Sequence, residues 1–185
     1  MRTFSLIARI VLSSGSHAGS LGPIACVSTI PLRLYPWIRP EMVDLRTNPE
    51  YMRVDFIEKD LSKNNVKLLR DAQYKGILKM DQDKMVRVFY NIASNARDAM
   101  PQGGTLEVST APVEGYVKIE FKDSGTGMPE EVKKKIFEPF MTYGKKHGTG
   151  LGMSIVKKVI DDHKGKIEID SEMGKGTTIR ILLPL

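Results

Sequence analysis

Asn91-Ile92-Ala93-Ser94-Asn95-Ala96 opens a series of short motifs that decides how this chain folds. Asp123-Ser124-Gly125-Thr126-Gly127 follows, then Phe137-Glu138-Pro139-Phe140, then Gly148-Thr149-Gly150-Leu151-Gly152. Gly174-Lys175-Gly176-Thr177 closes the series. The spaces between the motifs carry regular apolar periods. Met85, Val88, Phe89, Ile92 and Ala96 mark one face of a helix that starts after Asp81, a good N-cap, and runs to about residue 99. Pro101-Gln102-Gly103-Gly104 stops it. Residues 105–110 and 116–122 alternate as strands around a turn at Glu114-Gly115. A short helix is predicted over 129–136, beginning at Pro129, and another over 150–161 with Met153, Ile155, Val156, Val159 and Ile160 inward. Residues 166–170 and 177–183 form a last strand pair, turned at Met173-Gly174.

Upstream, Asn48-Pro49 marks a break, and Met52, Phe56, Ile57 and Leu61 place a helix over 50–62. Short strands are expected at 66–69 and 76–80, joined by a polar turn. Strands on one face and helices on the other give a two-layer α/β sandwich.

The chain has 185 residues, 41% apolar and 27% charged, as in an ordinary globular protein with one real core and a modest extension. Of the net charge of +6, residues 1–40 supply +4, through Arg2, Arg9, Arg33 and Arg39 with no acid. The remainder carries only +2, which gives no reason to expect a nucleic-acid partner. A single cysteine, Cys26, excludes an internal disulfide and fits a reducing compartment, and with three scattered histidines it argues against structural zinc.

Residues 1–45 receive no domain assignment. The Arg- and Ser-rich, acid-free composition of residues 1–40 is that of a transit peptide. A membrane span fails, because every eighteen-residue window holds arginine or proline. The plainest expectation is a poorly packed, disordered or appended extension, followed by one domain over 50–185.

The ordered set of motifs resembles the ATP-binding catalytic domain of sensor histidine kinases, within the gyrase/Hsp90/histidine-kinase/MutL ATPase superfamily. The resemblance covers roughly residues 50–185. It implies a mixed, mostly antiparallel sheet packed against about three helices, the Bergerat-type ATP-binding fold. It also implies ATP and Mg²⁺ as cofactors, a cytoplasmic location compatible with a membrane-attached parent, and a phosphoprotein partner system. That system comprises a histidine-containing dimerisation domain, in cis or in trans, and a response regulator.

Residue by residue, the resemblance assigns Mg²⁺ to Asn95 and ordering of the phosphate side to Asn91. One helical turn separates them, so both amides share a face. A neutral amide oxygen suits Mg²⁺, which takes few protein ligands when phosphates supply the rest. By itself, Asn-x-x-x-Asn is more often two polar residues on a solvated face. Asp123 is assigned the adenine N6 amine, with Gly125 and Gly127 letting the backbone come close. Thr177 joins Asp123 at the adenine edge. Gly148, Thr149, Gly150, Leu151 and Gly152 precede a helix whose first amides suit the β- and γ-phosphates. Lys145 and Lys146 add charge to the γ-phosphate, against the plain alternative of solvated loop lysines. This run is neither a Walker A loop, lacking Gly-Lys-Ser/Thr, nor a convincing dinucleotide fingerprint. Phe137 and Phe140 read as core packing that anchors a mobile lid over 142–150, and Glu138 receives no catalytic role.

Two departures matter. Hydrolysing members of the superfamily carry a glutamate four residues before the Mg²⁺ asparagine; here Asn91 stands there, and an amide is no useful base near neutral pH. Asp98 occupies a place where many kinases have a cation facing phosphate, so it must repel phosphate or turn away. Arg97 lies about 100° around the helix and is a poor substitute. No phosphoacceptor histidine is evident: His17 lacks an acidic neighbour and helical pattern, and His147 and His163 read as structural or incidental. The leading function is therefore phosphoryl transfer from Mg·ATP to a histidine elsewhere, by a protein-histidine kinase catalytic domain in which the sequence singles out no catalytic residue. A non-transferring ATP-sensing module is the alternative, and a hydrolytic ATPase is disfavoured by Asn91.

Overall fold

A computed structural model describes residues 42–44, 55–144 and 149–185. Among the described residues, strands β1 (Met42–Asp44), β2 (Val66–Ala72), β3 (Ile77–Lys79), β4 (Gly104–Val113), β5 (Tyr116–Asp123), β6 (Lys166–Glu172) and β7 (Gly176–Pro184) alternate with four helices. These are α1 (Asp55–Lys63), α2 (Gln82–Asp98), α3 (Glu130–Lys135) and α4 (Gly152–Asp162). The main sheet has the order β2-β4-β5-β7-β6. Its β2–β4 pair is parallel and the others are antiparallel. This is the mixed, mostly antiparallel two-layer sandwich. α3 buries none of its six residues, so α1, α2 and α4 supply the packed layer.

Periodicity explains the layers. On β5, Val117, Ile119 and Phe121 are buried while their neighbours are not, and β7 repeats this with Ile179, Ile181 and Leu183. Successive strand residues face opposite sides, so one face of the sheet is apolar and the other polar. α2 lays Met85, Val88, Phe89, Ile92, Ala93 and Ala96 on that apolar face. The Phe89 and Phe121 rings sit 5.6 Å apart and tilted by 40°. Each fully buried Leu or Ile contributes on the order of 2 kcal/mol.

Caps set the helix limits. Asp81 accepts from the Lys84 N–H at 3.2 Å, as its N-cap position requires. After α2, the chain reverses at Gly103, whose φ of +84° favours glycine.

One connection differs from expectation. β2 and β3 do not pair with each other. β2 lies parallel to β4 in the main sheet, whereas β3 pairs antiparallel with β1 in a small second sheet. The polar turn between them is thus a crossover from one sheet to another. β1 itself falls in the stretch that received no assignment. The predicted helix over 50–62 is seen as α1, and residues 50–54 lie outside the described residues.

Candidate functional site

The core-facing rows of β5 and β7 end on polar residues. Asp123 and Thr177 follow the same alternation as Phe121 and Ile179, so they point to the helix side of the sheet, directly opposite one another in register. Here the layers part, and a cleft of about 780 Å³ opens between the strand ends, α2 and the start of α4.

Asp123 is 9% exposed. Its Oδ1 accepts the Gly125 N–H at 2.9 Å and the Thr177 N–H at 3.2 Å. Both donors use one oxygen, which leaves Oδ2 to meet a donor in the cleft. Burial pushes the carboxyl above the usual aspartate range, and the two backbone N–H groups only partly oppose this.

Thr177 is buried beside it. Its hydroxyl lies 2.9 Å from Ser171 Oγ, which accepts the Met128 N–H at 3.0 Å and contacts the Gly176 carbonyl at 3.1 Å. If Ser171 gives its one hydrogen to Gly176, Thr177 must donate to Ser171, and its own lone pairs then face the cleft as acceptors.

The two glycines of the first glycine motif serve packing against protein. A Cβ on Gly125 would stand 2.7 Å from the Ala99 carbonyl oxygen and 2.8 Å from Asp123 Oδ1. Gly127 has φ of +63°, and a Cβ there would meet the Glu172 carbonyl oxygen at 2.0 Å. They hold the turn tight against α2 and β6, which fixes the Asp123 carboxylate.

On the opposite wall stand Asn91, Asn95, Thr149, Gly150 and Gly152. The Asn91 amide donates to the Gly152 carbonyl at 3.3 Å and so ties α2 to the start of α4. Leu151 is the N-cap of α4; no side chain caps this end, so its first N–H groups remain open to an anion. Gly125 and Leu151 support the cleft without lining it, and Lys145, Lys146 and Gly148 lie outside the described residues.

Arg97 and Asp98 also line the cleft. The Arg97 guanidinium binds Asp98 Oδ1 at 2.6 Å, the Ser94 hydroxyl at 3.1 Å, and Asp60 of α1. Burial works against this charge, but Asp98 and Asp60 outweigh it and hold the guanidinium above its ordinary value. The arginine at 97, dismissed on helical angle, therefore neutralises the aspartate that looked hostile to phosphate. A long flexible side chain can reach around a helix by more than its Cα position suggests.

Phe140 corrects an expectation. Phe137 packs on the core, but Phe140 is 76% exposed, with φ of +66°. Its backbone presses on Gly150, where a Cβ would stand 2.3 Å from the Phe140 carbonyl carbon. The chain turns sharply after α3, and the turn carries the second ring outward. Sequence reading also missed Ser171, and the apolar wall of Met128, Ile136, Ile169 and Ile179. Ser171 had a signal: it is the cross-strand partner of Thr177 in the β6–β7 hairpin. No cluster of three or more metal-ligating His, Cys, Asp or Glu side chains occurs among the described residues. Nor is any helix among them long and apolar enough to cross a membrane.

Residues 80–185 match the family model described as histidine kinase-, DNA gyrase B-, and HSP90-like ATPase. The chain belongs to this family. Kinases are among its relatives. Sporulation kinase C of Bacillus subtilis is 42% identical over 105 residues, which are 57% of this chain and 24% of that protein. Sensor kinase CckA of Brucella abortus is 44% identical over 125 residues, 58% of this chain and 13% of that protein. The chain thus spans a quarter or less of these two relatives. Among solved structures, the nucleotide-free catalytic domain of histidine kinase ThkA superposes with a TM-score of 0.68 at 29% identity, covering 77% of this chain and 93% of that one. The mycobacterial sensor histidine kinase MprB gives 0.67 at 26%, covering 78% and 96%. The ATP-binding catalytic domain of sensor histidine kinases is therefore the resemblance that both sequence and fold support.

Proposed function

We propose that this domain binds Mg·ATP in the cleft and donates the γ-phosphoryl group to a histidine on a separate dimerisation domain, in cis or in trans, with a response regulator downstream. The observation that carries the reading is the Asp123 carboxylate, buried, fixed through Oδ1 by two backbone N–H groups, with Oδ2 left for the adenine amine. Thr177 completes the adenine edge. The ring lies along the apolar wall, and the phosphates reach the open amides of α4. The ATP-binding unit is taken as residues 50–185, with 1–45 unassigned.

The donor set fits Mg²⁺. Asn95 offers one neutral oxygen in a cleft without a carboxylate cluster, which suits an ion that brings phosphate and water ligands of its own. When bound, the ion would neutralise charge on the β- and γ-oxygens. Asn95 would hold it. Asn91, engaged with the Gly152 carbonyl, fixes the phosphate wall and supplies no base. Catalysis by this chain is therefore positioning and charge neutralisation, and the acceptor domain brings any base. Gly148, Lys145 and Lys146 are assigned to the γ-phosphate side on sequence alone.

Incubation with [γ-³²P]ATP and a separately prepared dimerisation domain tests this. Label on the acceptor histidine is expected. ATP binding without transfer would make the domain a nucleotide sensor, and phosphate release without an acceptor would make it a hydrolase.

A further inference from the structure

α2 and α4 are joined by two side-chain ties, and only one of them lies at the cleft. At the near end, Asn91 Nδ2 donates to the Gly152 carbonyl at 3.3 Å. At the far end, His163, the C-cap residue of α4, bonds in two directions. Its Nε2 lies 2.9 Å from the Asp81 backbone N, and its Nδ1 lies 2.7 Å from the Val159 carbonyl oxygen. Residues 81 and 91 of one helix thus pair with residues 163 and 152 of the other. The helices run antiparallel, clamped at points roughly 15 Å apart along the axis.

The far clamp dictates a tautomer. A backbone N–H can only donate, so Nε2 must carry a lone pair. A carbonyl can only accept, so Nδ1 must carry the hydrogen. The ring is half-buried. Protonation would place a second hydrogen on Nε2, donor against donor, and the Asp81 tie would be lost.

We infer that His163 is a positioning residue for the cleft: in its neutral Nδ1–H form it holds α2 and α4 at the spacing that sets Asn91 and Asn95 against the start of α4, and it releases that hold on protonation. Only the consequence for affinity rests on the Mg·ATP reading; the coupling between the two clamps does not.

The charges around the ring favour such a response. At the start of α2 the residue whose N–H meets the ring, Asp81, carries a carboxylate held by Lys84 Nζ at 3.2 Å and by the Lys84 N–H. That carboxyl lies below the ordinary range, chiefly through the Lys84 N–H, with His163 contributing least. An imidazolium would compete with Lys84 for it and loosen the N-cap of α2. On its own segment His163 is flanked by Asp162, paired with Lys158 at 3.6 Å, and by Lys164. The flanking strands carry Lys79 of β3 and Lys166 of β6, the latter with Nζ 5.1 Å from the centre of the Tyr116 ring.

The test uses the full chain, isotope-labelled, titrated from about pH 8 to about pH 5.5, where imidazoles change charge. The Asp81 amide, the Asn91 side-chain amide and the Gly152 amide are expected to shift along the His163 ring titration, without nucleotide. In parallel, Mg·ATP affinity is measured at both ends of the range in wild type and in His163→Gln, whose amide oxygen can accept from Asp81 without titrating. The ratio of affinities between the two ends should be larger in wild type by about fivefold, the worth of one hydrogen bond. The His163→Gln ratio carries every contribution to the pH dependence other than that of His163. A ring that titrates while Gly152 and Asn91 stay still overturns the inference. So do equal ratios in the two proteins. If the amides follow His163 but Mg·ATP binds at no pH, the coupling stands and the nucleotide reading falls.

Discussion

The Thr177 backbone N–H donates to Asp123 Oδ1 at 3.2 Å, between two residues that are cross-strand partners 54 positions apart in the chain. One edge of the cleft is therefore built by strand register. A carboxylate held from behind by backbone cannot swing, so its free oxygen is aimed before a ligand arrives, and less ordering is needed on binding.

Asp123→Asn should separate folding from binding. The amide oxygen can take the Gly125 and Thr177 N–H groups as Oδ1 does, while the amide nitrogen turns a donor toward the adenine amine. ATP affinity is expected to fall roughly ten- to a hundredfold. The melting temperature should stay equal or rise, since a buried charge is removed. Thermal melts beside titration with a fluorescent ATP analogue check both halves.

The pH dependence has a definite sign. Burial raises the Asp123 carboxyl in the fold, so this group favours the folded state as pH falls through the window between its ordinary and raised values. Adenine needs the ionised form. ATP affinity should therefore be complete above the raised value and decline as pH falls through it. Asp123→Asn should lose this part of the decline and keep only the part that depends on His163. Calorimetric titrations at a series of pH values in both proteins would reveal it.

Much of this was legible because strand and helix periods are local properties. The β5 and β7 alternation, the Asp81 cap and the apolar face of α2 all follow from neighbouring residues. The parting of β2 and β3 into separate sheets was not legible, because both are short and their partners are distant in sequence. The pairing of Arg97 with Asp98 was not legible for a related reason: it also depends on Asp60, which belongs to another helix. Phe140 looked like core because phenylalanine usually is; the turn that exposes it depends on the backbone approach of Gly150.

Two glycines should respond oppositely to alanine. Gly127→Ala combines a φ of +63° with a Cβ 2.0 Å from the Glu172 carbonyl oxygen, and should cost at least about 2 kcal/mol. At Gly152 the nearest side-chain atom outside the helix, Asn91 Cγ, is 3.7 Å from the added Cβ. That substitution should be neutral or stabilise the helix by up to about 1 kcal/mol. Urea denaturation of the two variants would show whether space and backbone angle, rather than motif membership, decide.

Arg97 and Asp98 should act on triphosphate in opposite directions. Removing the aspartate charge with Asp98→Asn leaves Arg97 balanced by Asp60 alone and should tighten Mg·ATP binding by about two- to threefold at low salt, as expected of a partly exposed pair. Arg97→Ala removes the cation that binds Asp98 in the cleft and should weaken binding by a similar or larger factor. Both effects should shrink as salt is added. Titrations at two ionic strengths measure this.

Competition between nucleotides tests the central claim most directly. Guanine presents a carbonyl oxygen where adenine presents its amine, so Asp123 Oδ2 would face acceptor with acceptor. Displacement of a fluorescent ATP analogue by ATP and by GTP, in Mg²⁺ at neutral pH, should show a preference for ATP of at least about a hundredfold. Equal displacement by the two nucleotides would contradict it, and would remove Asp123 from the recognition of the base.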